Sequence, residues 1–245
     1  MFSQFSKDEL IRINELIFML GMASEESEHV GFVKLYKDLF EFDMFSAVLH
    51  NNANSINALD YFQTDYPLEF LDLYLNQEYF KHDPKWWILK QKPVIYYWGD
   101  VHRFICNCPS AAKIFSDFRD AKVVDGITYS FHRRTFNITL CFINKRQMSK
   151  NEIFRNMCIV RALGNHISES VLNLFRNRLH KSLKVTHKQT EIISLMLAGN
   201  SRSEIANILE LSPKSIDAHL DEARYKFNVQ TRRELLLFAN ELLNV

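Results

Sequence analysis

A small group of residues between positions 66 and 98 has the side chains needed to bind a small molecule. The group is Tyr66, Phe70, Tyr74, Asp83 and Trp98, which combine aromatic surface with hydroxyls and one carboxylate. Asp83 stands before a proline, so its backbone is biased to extended geometry and its carboxylate is able to point into a cavity. A carboxylate buried among rings is costly unless a partner donates to it, and a ligand amide N–H is a suitable donor. The rings would bury an acyl chain, and the tyrosine hydroxyls would bond ligand carbonyls.

The same residues have a plainer interpretation, in which the rings fill a core and Asp83 caps a helix. The chain contains 20 phenylalanines, so clusters of aromatic residues are weak evidence for a pocket. On the residues alone, both interpretations stay open.

No arrangement of residues in the sequence predicts catalysis or a metal site. The six glycines are scattered, and neither G-x-S-x-G nor H-E-x-x-H occurs. His102, Cys106 and Cys108 have the wrong spacing for the usual zinc sites. We therefore predict a protein that is not an enzyme and that uses no cofactor or metal.

The composition is that of a globular protein, with 47% hydrophobic and 24% charged residues in a chain of 245. No apolar run approaches the length of a membrane span, and the first residues lack the apolar core of a signal peptide. We predict a cytoplasmic protein that makes no contact with a membrane and whose four cysteines are free thiols.

Hydrophobic periodicity divides the first 175 residues into helices and strands. Residues 7–42 show two amphipathic helical patterns. Strand patterns follow at residues 45–50, 57–63, 93–98, 127–134 and 136–143. Helical patterns occur at residues 67–79, 109–122 and 150–178. Strands enclosed by helices predict an α+β domain over residues 1–175, an α/β/α sandwich on an antiparallel sheet. Residues 176–184, which are rich in basic side chains, are the predicted linker.

Residues 185–245 carry the start and stop signals of four short helices. Thr186 and Gln189 have capping-box spacing, and Gly199 stands where a C-terminal glycine is expected. Ser203 is the predicted start of the second helix, and Ser212 before a proline starts the third. Thr231 and Glu234 form a further capping box. Two short helices joined by a tight turn predict a helix-turn-helix.

The order of residues in this segment is similar to the LuxR/GerE-type regulators. The similarity is carried by VTHKQTEIISLMLAGNSRSEIANILELS and PKSIDAHLDEARYKFNV, followed by RRELLLFA. Hallmarks of the family fall on Ile193, Gly199, Ile205, Ala206, Ser212, Ser215, Ile216, Leu220, Lys226 and Val229. The resemblance implies a DNA-binding domain whose contacts would come from Lys188, Arg202, Lys214, Ser215, Asp217, Ala218, Asp221, Arg224 and Lys226.

The first half resembles the acyl-homoserine-lactone-binding domain of quorum-sensing members of that family. TDYPLEFLDLYLNQEYFKHDPKWW, IYYW and DGIT carry this resemblance. It favours the pocket interpretation and implies that Tyr66, Phe70, Tyr74, Asp83 and Trp98 bind the ligand. The tryptophan that donates its indole N–H to the lactone carbonyl in the family is here Phe70. A lost hydrogen bond is worth roughly 0.5–1.5 kcal/mol, so the signal need not be a standard acyl-homoserine lactone.

The predicted recognition helix also departs from the family, because Asp217 and Asp221 stand where well-studied members carry arginines. Residues 184–245 contain eight basic and eight acidic residues, a net charge of zero, which is unusual for a DNA-binding domain. The acidic pair could accept hydrogen bonds from cytosine N4 and define an unusual operator. Alternatively, the domain has lost most of its DNA affinity and acts through protein contacts.

We predict a ligand-responsive bacterial transcription factor that binds a small hydrophobic signal and, as a homodimer, a sequence-specific operator. Val160, Leu163 and Ile167 are expected to offer a surface to the second subunit. The alternative is a protein impaired in DNA binding that forms heterodimers with another regulator and blocks it.

Overall fold

The computed structural model contains two compact units. We call Met1–Leu174 the sheet unit and Phe175–Val245 the terminal unit. The residues that the structure describes are 5–23, 26–51, 59–89, 94–100, 109–133 and 136–242.

The sheet unit is built on five antiparallel strands, which confirms the predicted antiparallel sheet. The strands are β1 (Met44–Asn51), β2 (Leu59–Thr64), β3 (Ile95–Tyr97), β4 (Asp125–His132) and β5 (Phe136–Asn144). Their order across the sheet is β2-β1-β5-β4-β3. β1 and β5 pair along their whole length, from Met44 opposite Ile143 to Asn51 opposite Phe136. The first and last of the five strands along the chain are therefore neighbours in the sheet.

Helices cover both faces of the sheet, as the α/β/α prediction requires. They are α1 (Lys7–Met22), α2 (Glu26–Phe40), α3 (Leu68–Asn76), the short α4 (Pro84–Leu89), α5 (Pro109–Asp120) and α6 (Lys150–Leu183), with a 3-10 turn at Tyr79–Lys81. α1 begins at a complete capping box between Ser6 and Glu9.

Successive side chains of β1 point to opposite faces of the sheet. Ser46 and Val48 point to the face that packs on α3 and α5, where they line a cavity. Phe45 points to the opposite face, where its ring lies 5.9 Å from Tyr36 of α2 and 5.3 Å from Phe142. α6 packs on this second face so closely that a Cβ at its Gly164 would lie 2.5 Å from the ring of Tyr129.

One prediction about α6 is wrong. Val160, Leu163 and Ile167 are completely buried in the monomer, so they are not available to a second subunit. The helix also continues to Leu183, so all but the last residue of the predicted linker 176–184 is helical. Lysine and arginine are good helix formers, and a run of basic residues therefore does not interrupt a helix.

The terminal unit contains the four predicted helices. They are α7 (His187–Leu197), α8 (Arg202–Ile208), α9 (Pro213–Lys226) and α10 (Arg232–Leu242). The capping boxes at Thr186 and Thr231 are confirmed. The second helix is capped by Ser201 and not by Ser203, because only Ser201 has the glutamate three residues later that completes a capping box.

Three successive helices of this unit end in the same way. Gly199, Glu210 and Asn228 adopt positive φ angles of 91°, 53° and 51° just beyond the ends of α7, α8 and α9. At the first of these ends the Asn200 N–H donates to the Leu195 carbonyl at 3.1 Å, the longer bond of a Schellman motif. The connection from α8 to α9 is therefore a short turn, and the two helices form the predicted helix-turn-helix. In the described part of the chain, no helix is both long and apolar enough to cross a membrane.

Candidate functional sites

The first candidate site is a cavity between the sheet, α3 and α5. Four of the five predicted ligand-binding residues line it, namely Tyr66, Phe70, Tyr74 and Asp83. The volume of the cavity is about 60 Å³. The aromatic side chains of its walls therefore lie close together, and the cavity is narrow.

Trp98, the fifth predicted residue, lies beside the cavity and not in its wall. Its indole N–H donates to the Thr128 hydroxyl at 2.8 Å, and its ring meets the edge of Phe118 at 6.2 Å between centroids. A Cβ at Gly126 would lie 2.9 Å from Trp98, so the glycine makes room for the indole. The arrangement makes Trp98 a support for Phe118.

Asp83 is buried, and its carboxylate is already occupied by groups of the protein itself. Its Oδ1 accepts the backbone N–H of Lys85 at 2.9 Å, and its Oδ2 accepts the Tyr74 hydroxyl at 3.1 Å. The Lys85 ammonium lies 3.4 Å from the same Oδ2. The carboxylate therefore does not need a ligand donor to be satisfied.

Lys85 is a residue of the cavity wall that the sequence did not predict. It is only 8% exposed, although lysine is almost never buried without a partner. Its ammonium lies 3.6 Å from the ring centroid of Phe118 and 4.1 Å from that of Trp98, and the residue lines the cavity. A cation on two aromatic faces is stabilised by their negative quadrupoles. The one available signal was its position directly after Asp83-Pro84.

Phe70 forms part of a tightly packed group of rings. Its centroid lies 4.8 Å from Phe118 and 5.4 Å from Tyr66. Burial raises the pKa of Tyr66 and of Tyr96, so both hydroxyls stay protonated near neutral pH. Burial likewise raises the pKa of the Cys141 thiol in the cavity wall. The hydroxyls of Tyr66 and Tyr96 and the thiol of Cys141 are therefore neutral, in contrast to the Asp83–Lys85 ion pair in the same cavity wall.

The second candidate site is the outward face of α9 in the terminal unit. Ile216, Leu220 and Ala223 are buried in the helical core. Lys214, Asp217, Ala218 and Asp221 recur at steps of three and four on the other side, which agrees with their predicted outward direction. Ser212 caps the helix, because its hydroxyl accepts the backbone N–H of Ser215 at 3.0 Å, and the hydroxyl of Ser215 lies 2.8 Å from that of Ser212.

The basic side chains around this face are held by acidic neighbours. Asp217 accepts Arg202 at 2.7 Å with one oxygen and Arg232 at 2.8 Å with the other. The remaining ion pairs are Arg224–Asp221 at 2.9 Å, Lys226–Glu222 at 3.1 Å and Lys188–Glu191 at 2.9 Å. Within the described residues, Lys214 is the one predicted basic contact that has no ion pair. Arg232 was not among the predicted contacts.

No group of three or more histidine, cysteine, aspartate or glutamate side chains able to hold a metal ion occurs among the residues that the structure describes. His102, Cys106 and Cys108 lie outside those residues. Cys141 and Cys158 are free thiols, as predicted.

The fold and the two sites define a class of protein in which a mixed α/β unit with an aromatic cavity is followed by a helix-turn-helix unit. Residues 26–171 match the family model of the autoinducer binding domain. Residues 183–239 match the model of bacterial regulatory proteins of the LuxR family. The chain belongs to the LuxR family of bacterial regulatory proteins, with an autoinducer-binding domain and a DNA-binding helix-turn-helix domain.

Solved structures agree with this assignment at the level of the fold. SdiA in complex with octanoyl-rac-glycerol is 16% identical, with a TM-score of 0.62 over 97% of both chains. Escherichia coli SdiA in another crystal form is 17% identical, with a TM-score of 0.61 over 94% of this chain and 96% of that one. The N-acylhomoserine lactone dependent factor CepR2 from Burkholderia cenocepacia is 13% identical, with a TM-score of 0.58 over 68% of this chain and 97% of its own. No curated protein sequence matches the chain at a significant level.

Proposed function

We propose that this protein is a ligand-responsive transcription factor whose DNA binding depends on a small amphiphilic molecule in the cavity of the sheet unit. The observation that carries the proposal is the chemistry of that cavity, which has aromatic walls and a cluster of Tyr74, Asp83 and Lys85 at one end. Apolar walls with a few converging polar groups are the usual form of a small-molecule site. A regulator of bacterial genes would act in the cytoplasm.

The proposed ligand is a neutral amphiphile with a single acyl chain. Relatives of the same fold are named for such ligands, since SdiA is described with octanoyl-rac-glycerol and CepR2 as dependent on N-acylhomoserine lactone. The cavity of this protein is narrow, so entry of an acyl chain requires the rings of Phe70 and Phe118 to move apart. A short or medium chain fits this requirement better than a long one.

The direct test is a thermal-shift titration of the full-length protein with octanoyl-rac-glycerol and with N-octanoyl homoserine lactone. A ligand that binds the native state alone raises the melting temperature progressively once its free concentration exceeds its dissociation constant. The same ligand should change the mobility shift of genomic DNA fragments. Binding without any change in the DNA complex would contradict the regulatory proposal.

We propose that the protein acts as a homodimer on an inverted-repeat operator. Because Val160, Leu163 and Ile167 are buried, the subunit contact has to involve other residues. Exposed apolar side chains on the sheet unit include Phe18, Met22 and Phe154, which are 72%, 70% and 53% exposed. Sedimentation equilibrium at micromolar concentration tests the oligomeric state, and a monomer there would remove the inverted-repeat operator as well.

The alternative function, an interaction protein that blocks another regulator, is favoured by the ion pairs of the terminal unit. With Arg202, Arg224 and Lys226 held by carboxylates, few cations are left to replace the counterions of DNA. A mobility-shift titration at several salt concentrations separates the two functions. Undetectable binding to every genomic fragment at low salt, with or without ligand, would favour the interaction protein.

A further inference from the structure

Among the cavity-wall residues that the structure describes, Lys85 carries the one charged donor, and the bonding of its buried ammonium is incomplete. Its ion pair with Asp83 Oδ2 is 3.4 Å long, whereas a strong ammonium–carboxylate hydrogen bond measures about 2.7–2.9 Å. The other close neighbours of the ammonium in the described residues are the faces of Phe118 and Trp98. An ammonium has three N–H donors, so it has capacity for an oxygen acceptor that enters the cavity.

The carboxylate of Asp83, in contrast to the Lys85 ammonium, already has its hydrogen-bonding partners. Its two oxygens accept the Tyr74 hydroxyl and the Lys85 backbone N–H, and they also face the Lys85 ammonium. A further donor from a ligand would compete with bonds that already exist. The polar end of the cavity is thus better prepared for a ligand that accepts hydrogen bonds than for one that donates them.

The position of Lys85 also bears on the missing indole at position 70. Phe118 contacts both sites, because its ring lies 4.8 Å from that of Phe70 and 3.6 Å from the Lys85 ammonium. A donor for a ligand carbonyl is therefore present in the same group of rings, although Phe70 has none.

The charge of the ligand follows from the Asp83–Lys85 pair, which is neutral as a whole. A ligand carboxylate bonded to Lys85 would place a second negative charge beside Asp83, in a buried site where repulsion between charges is screened less than in water. A neutral carbonyl oxygen accepts from the ammonium without this repulsion.

The geometry points to Lys85 as the residue that selects the ligand head group, by donating from its ammonium to an uncharged carbonyl oxygen such as that of an ester or a lactone. This inference rests on the proposed function, since it specifies the head group of the ligand proposed there. Asp83 holds Lys85 in place and excludes carboxylates.

The test is calorimetry on the full-length protein with three ligands that share one chain length. Octanoyl-rac-glycerol has the ester carbonyl, 1-O-octyl-rac-glycerol lacks it, and octanoate replaces it with a charge. The wild type should bind the ester at least about tenfold more tightly than either of the others, because each lacks the neutral acceptor. Equal affinity for octanoate, or for the ether, overturns the inference.

Two variants assign the effect to Lys85. Lys85→Met combined with Asp83→Asn removes both charges together, which avoids leaving one of them buried alone. It should lose about tenfold or more in ester affinity. Asp83→Asn alone keeps the ammonium and removes its negative neighbour, so octanoate affinity should rise by about tenfold. Lys113→Met, on an exposed position of α5, is the matched control and should change neither affinity.

The outcomes separate this inference from the proposed function. Ester affinity that is unchanged in the double variant, or octanoate affinity that does not rise in Asp83→Asn, overturns the inference and leaves the regulator intact. Ester binding that depends on Lys85 but never alters the DNA complex supports the inference and overturns the regulator. A wild type that binds none of the three ligands overturns both.

Discussion

Asp83 in the sheet unit and Asp217 in the terminal unit have similar partners and different surroundings. Each carboxylate receives two side chains, Tyr74 and Lys85 for Asp83, and Arg202 and Arg232 for Asp217. The Asp83 side chain is 1% exposed and the Asp217 side chain 27%. The comparison shows that the role of an ion pair depends on how exposed its side chains are to solvent. Each charge of the enclosed pair needs the other for compensation, whereas the surface pairs chiefly reduce the positive charge that DNA would meet.

The largest effect is expected for Asp83→Ala. Removing the carboxylate leaves the Lys85 ammonium buried without a counter-charge, which lowers the free energy of unfolding by about 3–5 kcal/mol. Urea denaturation of the full-length protein measures the loss. The double variant Asp83→Ala/Lys85→Met should recover more than half of it. A loss below about 1 kcal/mol would mean that water reaches the site and that the two regions differ less than the structure indicates.

The next effect is expected for Phe70→Trp, which restores the indole donor on the cavity side. Affinity for N-octanoyl homoserine lactone should rise by about tenfold. The larger ring enters a packed group, so stability should fall by about 1–3 kcal/mol. Calorimetry and urea denaturation measure the two changes, with Leu68→Trp at an exposed position of α3 as the control. Unchanged or weaker lactone binding would show that the lactone head group does not come within hydrogen-bonding distance of position 70.

A smaller effect on stability, below about 1 kcal/mol, is expected for Asp217→Ala, because exposed ion pairs contribute little. The change frees Arg202 and Arg232, so DNA affinity should rise severalfold on specific and scrambled duplexes alike. The slope of log K for DNA binding against log salt concentration should become steeper by about 2. Asp221→Ala frees only Arg224 and is the graded control. If Asp217 reads a base instead, the variant will lose about 1–3 kcal/mol of preference at one operator position.

The smallest effect is expected for Glu210→Gly at the end of α8. Glu210 has a φ angle of 53°, a left-handed conformation that costs a non-glycine residue roughly 1–2 kcal/mol. Glycine removes most of that strain but loses more entropy on folding, so the net gain should be about 0.5 kcal/mol. Thermal unfolding measures it. Gly199→Ala, at φ 91°, should change stability in the opposite direction, and a loss at both positions would contradict the strain argument.

Much of the fold was predictable because its signals are local. The capping boxes at Thr186 and Thr231, and the apolar spacing of Ile216 and Leu220, require only neighbouring residues. Ser201 was equally visible, since Glu204 follows it at capping-box spacing. The helical pattern was predicted only to residue 178, although the helix continues to Leu183, because basic composition indicates exposure to water but does not indicate whether the chain is helical.

The remaining features depend on contacts between distant residues. The burial of Lys85 depends on Phe118, which follows it by more than thirty positions, and no local pattern distinguishes a buried lysine from a solvated one. Periodicity identified the apolar face of α6 correctly but could not show that Leu163 is buried within the monomer and not against a second subunit. Four of the five predicted cavity residues were found together because the family resemblance added the three-dimensional information that spacing lacks.

The pairing of β1 with β5 has a consequence for how the chain folds as it is synthesised. Met44 pairs with Ile143, so one edge of β1 stays without its partner until the ribosome has released most of the sheet unit. Contacts between residues so far apart in sequence form slowly, and an unpaired strand edge invites aggregation in the interval. The terminal unit joins helices that follow one another directly, so it should fold within milliseconds once it is released.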